Sequence, residues 1–101
     1  MSVKECQFIS LQQLKSKLFS PDDFVLLDVR EISEFREGHI EGSKLIPLGI
    51  LPHRLDELDR DKEIVVVCRS GNRSKQACDI LKEHGFQQVY SLTGGLSGWV
   101  A

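Results

Sequence analysis

Residues 64–74 read Ile64-Val65-Val66-Val67-Cys68-Arg69-Ser70-Gly71-Asn72-Arg73-Ser74, and the fold is decided here. Four apolar residues without polar alternation suit a strand covered on both faces, as in a parallel sheet. A buried helix would need a longer run. The strand ends on a reactive residue, Cys68, and a loop containing Gly71 follows. From Ser74 the spacing turns helical. Ala77, Ile80 and Leu81 share a face, Lys82 and His84 stand in the last turn, and Gly85 follows as a cap. Strand, short loop and helix in this order belong to an α/β domain.

Outward from this segment the same alternation recurs. Phe24 to Leu27 is a second apolar run and leads into Asp28. Ser10 and Gln13 form a capping box ahead of Leu11, Leu14 and Leu18, a helix that Pro21 should stop. Glu31 to Glu37 predicts a short helix ended by Gly38 in a left-handed cap. Leu51 to Leu58 predicts another, with Leu51, Leu55 and Leu58 at helical spacing. Cys6 to Ile9, Lys44 to Ile46 and Gln88 to Ser91 are weaker strand signals. The expected architecture is α/β: a central, mostly parallel sheet with helices on both faces.

At 101 residues, with 28% charged and 41% hydrophobic residues, the chain is expected to form one domain over residues 1–101. Thirteen Lys plus Arg against 15 Asp plus Glu give a formal charge of -2. That is not the basic excess of a nucleic-acid binder, and no nucleic-acid partner is expected. No apolar run approaches the ~20 residues of a membrane span. The first ten residues, MSVKECQFIS, show no apolar signal region. A cytoplasmic protein with no membrane partner is therefore expected. Cys6, Cys68 and Cys78 are an odd count without a Cys-x-x-Cys pair, so free thiols are expected, with Cys78 packed in the core. His39, His53 and His84 are scattered, and no zinc site is expected. His39 is read as a structural turn residue, and His53 and His84 as surface residues.

The chemistry should lie beyond the carboxyl ends of the strands. Unpaired N–H groups and the dipole of a helix start make the Cys68–Ser74 segment an anion site. Gly71 permits φ > 0, and Asn72 tolerates that region. Arg69 and Arg73 add permanent positive charge. The same field should favour the Cys68 thiolate, which is the nucleophilic form. A buried cysteine that merely closes a strand is the bland alternative. The two arginines, Gly71 and the helix start weigh against it. Four residues separate Cys68 from Arg73. The cysteine phosphatase signature has one more. The tighter ring suits a single sulfur atom on the thiolate and would crowd a tetrahedral phosphoryl group.

The chain resembles the single-domain rhodanese, thiosulfate sulfurtransferase-like family. The resemblance is carried by Asp28-Val29-Arg30, Glu34-Phe35, Gly38-His39-Ile40 with Gly42, and Ile46-Pro47. It continues through Val67-Cys68 to Arg73-Ser74 and ends at Gly94-Gly95 with Trp99. These matches run in order over nearly the whole chain. The resemblance implies that Cys68 is catalytic and carries sulfur as a persulfide. The loop of Arg69, Ser70, Gly71, Asn72 and Arg73 would bind the substrate. It implies a small anionic donor such as thiosulfate and an acceptor such as cyanide, a thiol or a thiol protein. No metal or organic cofactor is required, and a monomer is expected.

Asp28 and Arg30 are read as supporting residues. Asp28 would fix the loop near the arginines, and Arg30 would pair with Glu34 as a scaffold. Arg73 should be the fixed charge nearest the sulfur, with Arg69 pointing outward to the donor. Trp99 is read as packing. The competing functions are a small cysteine phosphatase or arsenate reductase and a non-catalytic sulfur-carrier or partner-binding module.

Overall fold

The computed structural model describes residues 6–20 and 23–99. The Ile64–Val67 run lies in the middle of one parallel sheet. Its strands are β1 (Gln7–Ile9), β2 (Phe24–Asp28), β3 (Lys44–Leu45), β4 (Glu63–Val67) and β5 (Val89–Leu92), in the order β1-β5-β4-β2-β3. Every pairing is parallel. Three α-helices, α1 (Leu11–Leu18), α2 (Ile32–Glu37) and α3 (Asn72–Glu83), join short 3₁₀ turns in the connections.

The lack of polar alternation in β4 now has its reason. Successive side chains of a strand point to opposite faces. Ile64 and Val66 enter one core layer with Leu27, Val29, Leu51 and the α3 residues Ala77, Cys78 and Leu81. Val65 and Val67 enter the other with Ile9, Leu26, Leu92 and Leu14 of α1. Ile64, Val65, Val66 and Val67 are all fully buried. Helices thus cover both faces, and the β2–β4 register sets Asp28 beside Val67. The carboxyl ends of the two strongest strands meet at one edge of the molecule, where Cys68 follows β4.

The capping box at Ser10 forms as read. The Ser10 hydroxyl accepts from the Gln13 N–H, and the Gln13 side chain accepts from the Ser10 N–H. The stop expected at Pro21 lies outside the described residues, and α1 ends at Leu18. Gly85 takes φ +92°, the left-handed conformation expected after α3.

Three expectations are corrected. Residues 51–58 form no α-helix. Leu48–His53 and Leu55–Glu57 are 3₁₀ turns; the first begins at Leu48, and an α-helix from there would need an N–H at residue 52 for the Leu48 carbonyl, which Pro52 lacks. Leu51, Leu55 and Leu58 are buried all the same, because either helix type can turn such a spacing inward. Gly38 leaves α2 at φ 159° and ψ 140°, extended rather than left-handed. The third correction concerns the cysteines. Cys6 and Cys78 form a disulfide with Cα atoms 5.6 Å apart, and Cys68 alone is free. An odd count leaves room for one pair. Cys6 immediately precedes the edge strand β1, and α3 packs on the sheet face where Cys6 joins the core.

Candidate active site

Cys68 closes β4 and is fully buried. Gly71 turns the chain at φ +102° and caps the start of α3, so the first N–H groups of the helix face back toward the strand end. The Gly71 N–H donates to the Cys68 sulfur at 3.0 Å and the Ser74 N–H at 3.3 Å. Burial acts most strongly on this thiol and pushes its pKa up. The Ser74 hydroxyl and N–H, with the N–H groups of Gly71 and Ser70, pull the other way. Together they hold it below the ordinary thiol value.

Ser74 and Ser91 are the residues that sequence reasoning missed as site components. Both are fully buried. The Ser74 hydroxyl lies 2.7 Å from that of Ser91 on β5 and 3.1 Å from the Gly71 carbonyl. With Ser91 donating to it, Ser74 has one hydrogen for two acceptors, the Gly71 carbonyl and the sulfur. Ionisation makes the sulfur the stronger acceptor. The signal in the sequence is two small polar residues at positions that share an apolar face or strand, Ser74 on the helix face of Ala77 and Leu81 and Ser91 within Val89–Leu92.

The charged residues are distributed differently from the expectation. Asp28, fully buried, accepts from the Arg30 N–H at 3.0 Å, from its Nε at 3.0 Å and from its Nη2 at 2.8 Å. Arg30 Nη2 also donates to the Gly38 carbonyl at 2.8 Å. The pair therefore fixes the connection after β2 to the end of α2, and Arg30 does not pair with Glu34. Glu34 instead binds Arg73 through two bonds, at 2.7 and 2.9 Å. That fork, with a bond from the Glu31 backbone, holds the Glu34 carboxyl down at about 2. Arg73 is thus matched by a carboxylate, and its charge also acts on the Cys68 thiolate. The groups that lower the thiol most are hydroxyl and amide donors.

Asn72 is the first residue of α3 and exposed, and no non-glycine residue among those described has positive φ. Its tolerance for that region is not used. Ser70 contributes its N–H and is exposed. Arg69 is exposed and lines a cleft of about 270 Å³ with Arg30, Glu34, Glu37, Leu96 and Ser97. His39 is stacked on Phe35 with ring centroids 3.6 Å apart, and its Nδ1 donates to the Phe35 carbonyl at 2.8 Å. It is a hydrogen-bonded structural residue, as read, but it follows the end of α2 and the turn comes after it, at residues 41–42. Trp99 packs against the Leu14 core layer, with Lys15 Nζ 5.5 Å from its ring centroid. Among the described residues no group of three or more His, Cys, Asp or Glu could hold a metal ion. None of their helices is long and apolar enough to cross a membrane.

What the arrangement can do is hold a sulfur anion. The thiolate meets donors from two sides, and further N–H groups of the first turn of α3 are free of helical partners. A family model described as a rhodanese-like domain matches residues 10–101. The chain is 41% identical over 99 residues to the putative sulfurtransferase YtwF of Bacillus subtilis, covering 98% of this chain and 92% of that one. It is 41% identical over 91 residues to the putative sulfur carrier protein YrkF of the same organism, covering 90% of this chain but only 49% of that protein. The structure of the human single-domain sulfurtransferase TSTD1 superposes with a TM-score of 0.86 at 26% identity, covering 93% of this chain and 95% of the other.

Proposed function

The chain belongs to the rhodanese-like domain family, and from that premise we propose that it is a sulfurtransferase working through a persulfide on Cys68. The observation that carries the reading is the sulfur itself, the one free thiol among the described residues, set at a strand end and receiving the Gly71 and Ser74 N–H groups.

The donor is an anion such as thiosulfate. The Cys68 thiolate attacks its outer sulfur, and the sulfur–sulfur bond of the donor breaks. Sulfite leaves with the bonding pair, so the negative charge of the thiolate moves to the outer sulfur of the new persulfide. That charge falls where the first-turn N–H groups of α3 point. An acceptor then attacks the outer sulfur, and the Cys68 thiolate is regenerated. Cyanide would leave as thiocyanate, and a thiolate would leave as a new persulfide. One transfer becomes two simpler steps, and ping-pong kinetics follow. Arg69, exposed at the cleft, is suited to draw in the anionic donor.

Incubation with thiosulfate and cyanide tests the proposal by the thiocyanate formed. Turnover that disappears in Cys68→Ser supports it, and no turnover above that variant refutes it. The likeness to a putative sulfur carrier favours a second reading, in which the domain loads sulfur but releases it only to a partner. Stoichiometric loading of Cys68 without release to cyanide would decide for that reading. Cys68-dependent hydrolysis of an aryl phosphate would favour the phosphatase alternative, which the tight loop disfavours.

A further inference from the structure

Sequence resemblance picked out Gly94 and Gly95, yet nothing in the chemistry so far uses them. They begin the 3₁₀ turn Gly95–Gly98, which follows β5. That turn lies against the outer side of the Cys68 loop. The Leu96 N–H donates to the Cys68 carbonyl at 2.7 Å, and the Ser97 N–H to the Arg69 carbonyl at 3.0 Å. A peptide unit whose carbonyl is held outward turns its N–H the other way. The two amides of the turn thus fix the planes of the peptide units at residues 68–70, and the next amides face the sulfur. The fit leaves no space. A Cβ on Gly95 would stand 2.5 Å from the Arg69 carbonyl carbon and oxygen and 2.6 Å from the Cys68 oxygen, all of them backbone atoms. Gly95 also sits at φ +66°.

We infer that the Gly95–Gly98 turn is a positioning element for the sulfur chemistry. By seating on the Cys68 and Arg69 carbonyls it aims the loop N–H groups at the Cys68 sulfur, and Gly95 is glycine because any side chain there would lift the loop. The inference rests on the reading of Cys68 as a thiolate nucleophile, but not on any donor or acceptor.

Gly95→Ala is the direct test, with Gly42→Ala as its control. Gly42 has φ +88° and no neighbour within 4 Å of its would-be Cβ. It carries a similar backbone cost without touching the loop. Both folded variants are titrated by the pH dependence of Cys68 alkylation with iodoacetamide. The Gly95→Ala midpoint should rise, cutting the thiolate fraction at pH values below the midpoints by about tenfold for each pH unit of rise. The Gly42→Ala midpoint should stay at the wild-type value. A folded Gly95→Ala protein with an unmoved midpoint overturns the inference, as does an equal rise in both variants.

A second measurement on the unaltered sequence covers the case in which Gly95→Ala does not fold. Amide hydrogen exchange is compared before and after alkylation of Cys68. Losing the thiolate acceptor should speed exchange at Ser70, Gly71 and Ser74 and, because the Ser70 N–H shares a peptide unit with the Arg69 carbonyl that Ser97 holds, at Ser97. Faster exchange at Ser70, Gly71 and Ser74 with none at Ser97 overturns the coupling. Neither readout involves sulfur transfer, so failure here and failure of the sulfurtransferase reading can be told apart.

Discussion

Replacing Ser74 with Ala removes one hydroxyl from a fully buried place and should move the Cys68 titration more than any other single atom in the site. The hydroxyl is the strongest of the groups pulling the thiol down, and only burial, which acts upward, has a larger effect. A hydrogen bond to a charged group contributes about 1.5–3 kcal/mol. At about 1.4 kcal/mol per pH unit, its loss should raise the alkylation midpoint by about one to two pH units. The N–H of residue 74 still donates to sulfur, so the midpoint should stay below that of the thiol without any donors. Ser91 loses a partner at 2.7 Å and is left buried, which should lower stability by about 1–3 kcal/mol. Ser91→Ala is the informative companion, because it loses the same serine pair but keeps the hydroxyl beside the sulfur. Rates of iodoacetamide labelling across pH, read on the Cys68 peptide by mass spectrometry, give the midpoints. An unmoved midpoint in folded Ser74→Ala would refute the reasoning and assign the thiolate to amides alone. An equal rise in Ser91→Ala would show that general loosening of the loop is responsible.

Other outcomes follow from the ion pair, the disulfide and the exposed arginine. Glu34 titrates at about 2 in the fold against an ordinary 4.5, so its pairing with Arg73 adds stability above pH 4.5 that is lost as pH falls toward 2. The pair is partly exposed, so about 1 kcal/mol is the scale, and urea midpoints measured across that range should fall less in Glu34→Gln than in wild type. The Cys6–Cys78 disulfide joins residues 72 apart, and its reduction should lower unfolding stability by about 2–4 kcal/mol, read by denaturant titration with and without reductant. The same titration on Cys6→Ser should show no effect of reductant. Arg69→Ala should raise KM for thiosulfate with kcat nearly unchanged, and the gap should narrow at high salt, since an exposed charge is screened. An equal loss of kcat would place Arg69 in the chemical step.

What could be read from the chain and what could not divides by sequence distance. The β4–loop–α3 segment is local: an apolar run, a glycine forced to φ > 0 and a helix start stand within a dozen residues, and each constrains its neighbours. The capping box at Ser10 and Gln13 is local in the same sense. The features missed are pairings that only the folded sheet creates. Arg73 meets Glu34 across 39 residues, Ser74 meets Ser91 across 17, and Cys6 meets Cys78 across 72. Spacing along the chain cannot choose between Glu34–Arg30 and Glu34–Arg73, because both offer a guanidinium. The choice is made by buried Asp28, which takes Arg30 first. At 51–58 the limit is different: leucines at intervals of four and three fit an α-helix and a pair of 3₁₀ turns equally, and Pro52 is tolerated in the first turn of a helix from Leu51, counting against an α-helix only because the turn begins at Leu48.

The central claim is that Cys68 carries the transferred sulfur, and the mass of the protein after exposure to thiosulfate tests it most directly. The account predicts a gain of one sulfur atom, located on the Cys68 peptide, removed by cyanide and absent from Cys68→Ser. A protein that gains no sulfur, or gains it equally in Cys68→Ser, would contradict it.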